Sequence, residues 1–279
     1  MAAAPALRPG KSVRDARLVR YSEGVFVVAV VRLTSSVEEE APVLAAELGK
    51  TAYEVGLVLR GGMPAIAIRT DDRARALTIL QNLRARGHEA VACDESAVVA
   101  SDAMTQVRSF RFDPDALVAI GPHGVEERFV FADALAFIRA THASRSETVE
   151  KTRERKMSFG RAALSGGLIN TKTVTKERVV MTEDRDFALY MFRRPGAGSG
   201  DGAPWLVLAT RARYEGLGPD LQRSQIENFD VLLRRLRESA PQAVFDERLH
   251  TRRVDPESPV DLLAHLLALS TARHRRESG

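Results

Sequence analysis

Cysteine is almost missing from this chain: Cys93 stands alone among 279 residues. A single thiol excludes an internal disulfide framework and any cysteine-based zinc site, and it fits a reducing compartment. Lysine is scarce as well, with six among 41 basic residues, and the arginine and alanine excess suggests a GC-rich bacterial genome. No apolar run approaches the ~18 residues that a membrane span needs. The opening MAAAPALRPGKSVRDAR lacks the continuous apolar core of a secretion signal. These absences predict a cytoplasmic, non-integral protein whose residues 1–22 are disordered.

Signatures of chemistry are equally thin. Gly166 and Gly167 are followed by Leu168 rather than by Lys and Ser or Thr, so no P-loop forms there. The glycines of GAGSGDG, residues 196–202, lie between two expected strands and open no helix, which argues against a dinucleotide site. The six histidines (His88, His123, His142, His250, His265, His274) show no metal-ligand spacing, and neither HExxH, CxxC nor GxSxG occurs. The paired acids of DPD, Asp113–Asp115, and of TEDRD, Thr182–Asp186, read as turn residues. Asp246 and Glu247 are the best remaining acidic pair, with Arg248 beside them to form a salt link. Cys93 reads as a small buried side chain. No catalytic residue, metal or cofactor is assigned.

What the chain does have is a core, with 44% of its residues hydrophobic. GVFVVAVVRL, Gly24–Leu33, reads as a buried strand. Ser36 with Glu39, then Thr51 with Glu54, form two capping boxes that start consecutive helices. MPAIAIRT reads as a second strand. A helix capped by Thr70 or Asp71 follows, with Ala76, Leu77, Leu80 and Leu83 as its stripe, and HEAVACDE closes as a third strand. The order is strand, helix, helix, strand, helix, strand.

That order, carried by LGKTAYEVGLVLRGGMPAIAIRTDDRARALTILQNLRARGHEAVACD, resembles the C-terminal domain of the ribosomal stalk protein and the related Clp protease adaptor. The resemblance covers about Gly24–Glu95 and implies a small α/β sandwich that binds proteins and catalyses nothing. RLTSS stands where the Clp adaptor carries an Asn-Asp pair for gripping an N-terminal amine, so that role is not implied.

After a polar linker at 97–105 the pattern becomes extended. VRSFRFDPDALVAIGPHGVEERFVF predicts three strands joined by an Asp-Pro turn and a Gly-Pro-His-Gly turn. RVVMTED and DFALYMFRR predict a hairpin, and WLVLATRARYEGL another strand. SQIENFDVLLRRLRESAP predicts an amphipathic helix with Ser224 and Glu227 as its capping box and Ile226, Phe229, Leu232, Leu233 and Leu236 as its stripe. In the tail, Ser258 is expected to cap a last helix with Pro259 at its first position. DALVAIGPHGVEERFVFADALAFIRA, followed by strands and a closing helix, resembles a bacterial pleckstrin-homology-like domain over residues 106–240. The long insertion at 145–178 departs from a compact barrel of that kind.

The fold class expected is therefore α+β. An adaptor-like α/β domain occupies 23–96. A mostly antiparallel β domain with a C-terminal helix occupies 106–250, with a mobile insertion at 145–178. A final helix spans 256–276.

The net charge is +4. Residues 145–178 carry nine Lys and Arg against four Glu, enough excess to attract phosphates. Phe159 is their only aromatic, which argues against nucleic-acid base stacking. Lys151, Arg153, Arg155, Lys156 and Arg161 are the candidate anion-binding residues. The leading functional expectation is a non-enzymatic adaptor with an unknown protein partner. The alternatives are a module for an anionic ligand, either nucleic acid or a lipid headgroup, and an enzyme whose site is assembled from distant residues.

Overall fold

The computed structural model describes residues 24–121, 124–157, 171–196, 202–252 and 258–278, with backbone alone for 143–157 and 171–184. The fold is α+β, with mostly antiparallel sheets and a C-terminal helix. Residue Arg161 lies outside the described residues, as do His123, most of GAGSGDG and the N-terminal segment.

The first six elements run β1 (Phe26–Arg32), α1 (Val37–Leu48), α2 (Ala52–Arg60), β2 (Ala65–Thr70), α3 (Arg73–Ala85) and β3 (Glu89–Asp94). Both expected capping boxes form: Ser36 Oγ accepts the Glu39 N–H at 3.3 Å and Thr51 Oγ1 accepts the Glu54 N–H at 3.2 Å. Asp72, one residue beyond the expected position, caps α3 through the Arg75 N–H at 3.0 Å. The sheet order is β2-β1-β3, with both pairings antiparallel.

The remaining elements are β4 (Thr105–Gln106), β5 (Phe110–Phe112), β6 (Ala116–Ile120), β7 (Glu126–Val130), β8 (Ala134–Met157), β9 (Thr171–Arg193), β10 (Trp205–Leu208), α4 (Gln225–Ser239), β11 (Val244–Leu249) and α5 (Val260–Ser278). Strands β5, β6 and β7 form the antiparallel meander that the two turns imply. A second sheet has the order β11-β8-β9-β10-β4, antiparallel at its centre and parallel at both edges.

Three cores stack these elements into layers. Strand β1 is apolar without a break because both of its faces are buried. Val28 and Val30 face α1, α2 and α3, whereas Val27, Ala29 and Val31 face α5. On its other side α5 meets Ala136, Ile138, Ala188, Tyr190 and Leu206 of the five-stranded sheet. The opposite face of that sheet, with Phe137, Leu189, Met191, Trp205 and Val207, packs on α4 and the meander. Leu262, Leu263, Leu266 and Leu267 are all at most 2% exposed, and each such burial contributes ~2 kcal/mol before entropy is counted. Residues 97–105 are held as well: Val98, Val99 and Met104 pack into the α5 core, and the Ser101 N–H donates to Asp261 Oδ2 at 3.1 Å.

Four local expectations are corrected. RVVMTED and DFALYMFRR make one continuous strand, β9, that pairs with β8 residue by residue from Ala136 opposite Phe192 to Met157 opposite Thr171. The stretch TEDRD has no Gly or Pro to reverse the chain, and the Asp186 carboxylate instead accepts the Thr210 N–H and, at 2.5 Å, its hydroxyl. Leu77 is 44% exposed because the buried stripe of α3 is Ala76, Ile79, Leu80 and Leu83; one residue on from Ala76 is ~100° round the helix. Ile226 is 53% exposed, since the buried face of α4 is formed by Asn228, Phe229, Val231, Leu232, Leu233 and Leu236. At the start of α5 the Leu263 N–H bonds the Pro259 carbonyl, so Pro259 rather than Ser258 occupies the cap.

Candidate binding groove

A concavity of about 1300 Å3 lies at the outer edge of β2. One wall comes from the helix layer: Leu48 and Lys50 at the end of α1, Leu57, Val58 and Arg60 on α2, and Arg75 on α3. The opposite wall comes from the end of β11, with Arg248, and from the segment after it, with Thr251 and Arg252. These walls belong to opposite faces of the three-stranded sheet, so the groove straddles the edge of that sheet. Four successive residues of β2, Ile66–Arg69, form its floor. Strand β2 is an edge strand, and such a strand aims alternate N–H and C=O groups outward.

The groove is basic. Lys50, Arg60, Arg69, Arg75, Arg248 and Arg252 line it, and among the described residues no carboxylate does. Three of these cations reach acids outside the lining: Arg60 meets Glu38 at 2.8 Å, Arg69 meets Glu95 at 3.4 Å and Arg248 meets Asp246 at 2.6 Å. The Arg60 and Arg69 pairs are exposed and contribute at most about 1 kcal/mol each, so an incoming anion can compete for them, whereas Asp246 is 11% exposed and holds Arg248 through both Nε and Nη2. Arg75 donates to the Leu48 carbonyl at 3.3 Å, and Arg252 donates to the Gly62 and Pro64 carbonyls at 2.8 and 2.6 Å. Arg252 thereby pins the turn into β2, where Gly62 takes φ 101°, a conformation open to glycine. Leu57 of the helix-layer wall and Tyr53, one helical turn before it on α2, are 52% and 71% exposed.

A second, smaller cleft of about 260 Å3 lies among β3, β11 and α5. Its charges answer one another: Arg248 pairs with Asp246, and His274 Nε2 meets Glu89 Oε1 at 3.1 Å. Glu89 sits in a half-buried site that by itself would raise its pKa. The Ser270 hydroxyl, His274 and Arg32 outweigh that burial and hold the carboxyl below its usual range.

One cluster has the order of a hydrolytic relay. Thr34 Oγ1 lies 3.0 Å from His88 Nδ1, and His88 Nε2 lies 2.7 Å from Glu40 Oε2. A nucleophile, a base and an orienting acid are arranged this way in serine hydrolases. Here the Thr34 backbone N–H also donates to Nδ1 at 3.2 Å, and Thr34 lines neither cavity. The cluster therefore ties the β1–α1 loop to the start of β3. A second buried polar group joins the Tyr190 hydroxyl to His142 Nδ1 at 3.0 Å and to Ser101 Oγ at 3.3 Å. Burial pushes the tyrosine up and the histidine down from their ordinary pKa values. Burial also pushes the Cys93 thiol up to about 11, which leaves it protonated and a poor nucleophile at neutral pH.

No family model, curated protein or solved structure matches this chain.

The sequence-expected site and the observed groove lie on different elements. Lys151, Arg153, Arg155 and Lys156 belong to β8, opposite Glu177, Thr175, Thr173 and Lys172 of β9. Over 143–157 of β8 and 171–185 of β9 the two strands pair, among the described residues, only with each other, as a two-stranded ribbon. The groove's six cations come from positions 50 to 252 and share no spacing that a motif search would find. Its one sequence-level trace is on α2, where Tyr53 and Leu57 stand on a face that the core does not need. Among the described residues no three His, Cys, Asp or Glu side chains converge as a metal site, and no helix is long and apolar enough to cross a membrane.

Proposed function

We propose that this chain is a non-enzymatic adaptor, working in the cytoplasm, that holds a partner protein beside α2. The observation that carries this reading is the junction of the basic groove with the exposed pair Tyr53 and Leu57. Aromatic and aliphatic side chains exposed next to a concavity are characteristic anchors of protein interfaces. The groove also combines apolar walls with cations, whereas a small-molecule pocket is more enclosed and more apolar. The resemblance of residues 24–95 to protein-binding adaptor modules points the same way. The test places a photo-crosslinking residue at position 57 and, as a control, at Val125, which is 62% exposed. A discrete protein adduct from position 57 alone is expected in the cells that make this chain. Equal labelling from both positions, or none from 57, removes the reading.

A second reading rests on the β8–β9 ribbon, whose sequence carries the basic excess. Under it, Lys151, Arg153, Arg155, Lys156 and Arg161 hold an anionic ligand, either nucleic acid or a lipid headgroup. Binding to DNA or anionic vesicles would then weaken with salt and vanish when Arg153, Arg155 and Lys156 are neutralised. No loss on neutralisation excludes it.

A further inference from the structure

We infer that the β2 groove takes an extended, acidic peptide segment of the partner, laid along the open edge of β2; this rests on the adaptor reading above. Three observations converge. First, the charged residues of the lining are all cations, with Lys50, Arg60 and Arg75 on one wall and Arg248 and Arg252 on the other. A segment with carboxylates on both sides of its backbone meets both walls at once, which an extended chain achieves because its side chains alternate. Second, the floor is an edge strand, so the backbone of the incoming segment finds hydrogen-bond partners that a folded surface would not offer. Third, Leu57, Val58 and the half-buried Ile66 and Ile68 supply apolar contact between the charges.

The edge also limits how the segment binds. A bulge opposite Val28 and Ala29 leaves Ala67 unpaired with β1 and bends β2, so that Ile66 joins the α5 core and Ile68 the helix-side core. A bent edge supports only a short ladder. Charge therefore carries most of the affinity, and binding is salt-sensitive. The N-terminal residues of this chain do not suit the groove, since residues 1–23 carry five Lys and Arg against two acids. Nucleic acid is the less suitable anion, because no aromatic side chain lines the groove among the described residues.

The test uses the full chain and three fluorescein-labelled probes of about a dozen units each: a peptide alternating Glu with Val, its Lys counterpart, and a single-stranded DNA. Anisotropy is read at low salt and at about 0.5 M salt. The Glu peptide should bind, the Lys peptide should not, and Lys50→Glu with Arg69→Glu should weaken binding at least about tenfold. Lys50→Gln with Arg69→Gln gives a milder version of the same loss, and an unchanged melting curve confirms that both variants fold. Glu-peptide binding that these variants leave untouched overturns the inference. DNA bound in the groove in place of the peptide, and lost in the same variants, overturns it too. If a partner crosslinks at position 57 but the Glu peptide does not displace it, the acidic-segment inference falls and the adaptor reading stands; if no partner crosslinks there, both fall.

Discussion

Glu40 and His88 meet inside the helix layer, Oε2 to Nε2 at 2.7 Å, with side chains only 3% and 1% exposed. The Thr34 N–H donates to Nδ1, so the hydrogen-bond network places the ring proton on Nε2, where it is donated to Glu40. Arg86 fills the other carboxylate oxygen through Nη2 at 2.7 Å and Nε at 3.1 Å, and reaches Glu47 at 2.6 Å. Five residues from the β1–α1 loop, α1 and the α3–β3 turn are thus satisfied by one another. A buried network of this kind holds its elements in register, and it is costly to open.

Glu40→Ala should therefore destabilise the protein by ~3 kcal/mol, because it strands a buried imidazole N–H and removes one carboxylate from Arg86. Thr34→Val should cost less than ~1 kcal/mol, since the backbone N–H still satisfies Nδ1. Urea denaturation of the two variants checks this. Equal losses would mean that the Thr34 hydroxyl matters more than the geometry shows.

Stability should fall on the acid side. His265 on α5 and His142 on β8 are both pushed below the ordinary histidine value, and burial is the leading cause for each. A group whose folded pKa is depressed binds its proton more readily when unfolded. Its contribution is complete above the unfolded value of about 6.5 and is lost as pH drops through the folded value. The melting temperature is thus expected to be level above about pH 6.5 and to decline below it. His265→Leu should flatten that decline, because burial is the only cause acting on His265. Thermal melts from neutral to mildly acidic pH measure both effects, and an acid limb unchanged in the variant would contradict the assignment.

Substitutions on α4 should separate pattern from burial. Ile226 and Phe229 both fit the apolar stripe, yet Ile226 is 53% exposed and Phe229 is 0% exposed. Phe229→Ala is expected to cost ~3–5 kcal/mol and Ile226→Ala less than ~0.5 kcal/mol. Ser224→Ala should cost ~1 kcal/mol by opening the capping box, in which Ser224 Oγ accepts the Glu227 N–H at 3.2 Å. Chemical denaturation of the three variants ranks them.

What the sequence revealed depended on how local the physics is. Caps such as Ser36, Thr51 and Ser224 act within three residues, and each forms as written. Strand β1 advertises burial on both faces through its unbroken apolar run, Phe26–Val31. Where a helix meets the core is not local, so periodicity alone places Leu77 and Ile226 inward although both are exposed. The reach of β9 depended on its partner: only pairing with β8 carries it straight through Glu183–Asp186. The groove was the least legible feature, since Lys50 and Arg252 come to line one concavity only once the segment after β11 returns to the edge of β2. The five cations at 151–161 are close in sequence, which says nothing about a concave site.

The last prediction concerns α5, which separates the two sheets and completes a core with each. Leu266 is 0% exposed and belongs to the cluster that joins Val27 and Ala29 of β1 to Ile138 of β8 and Tyr190 of β9. Removing its side chain opens a cavity against both sheets, so Leu266→Ala should cost ~3 kcal/mol. Because both sheets share this helix, they should unfold together rather than in sequence. Trp205, the single tryptophan, lies on the α4 side of the five-stranded sheet and reports that layer by fluorescence. Far-UV circular dichroism reports chiefly the helices, among them α1, α2 and α3 on the far side of α5. In both wild type and variant the two signals should trace one transition, moved to lower urea by the substitution. Two separated transitions would show that the layers on either side of α5 are stable independently, and that the leucines of this helix bind them only weakly.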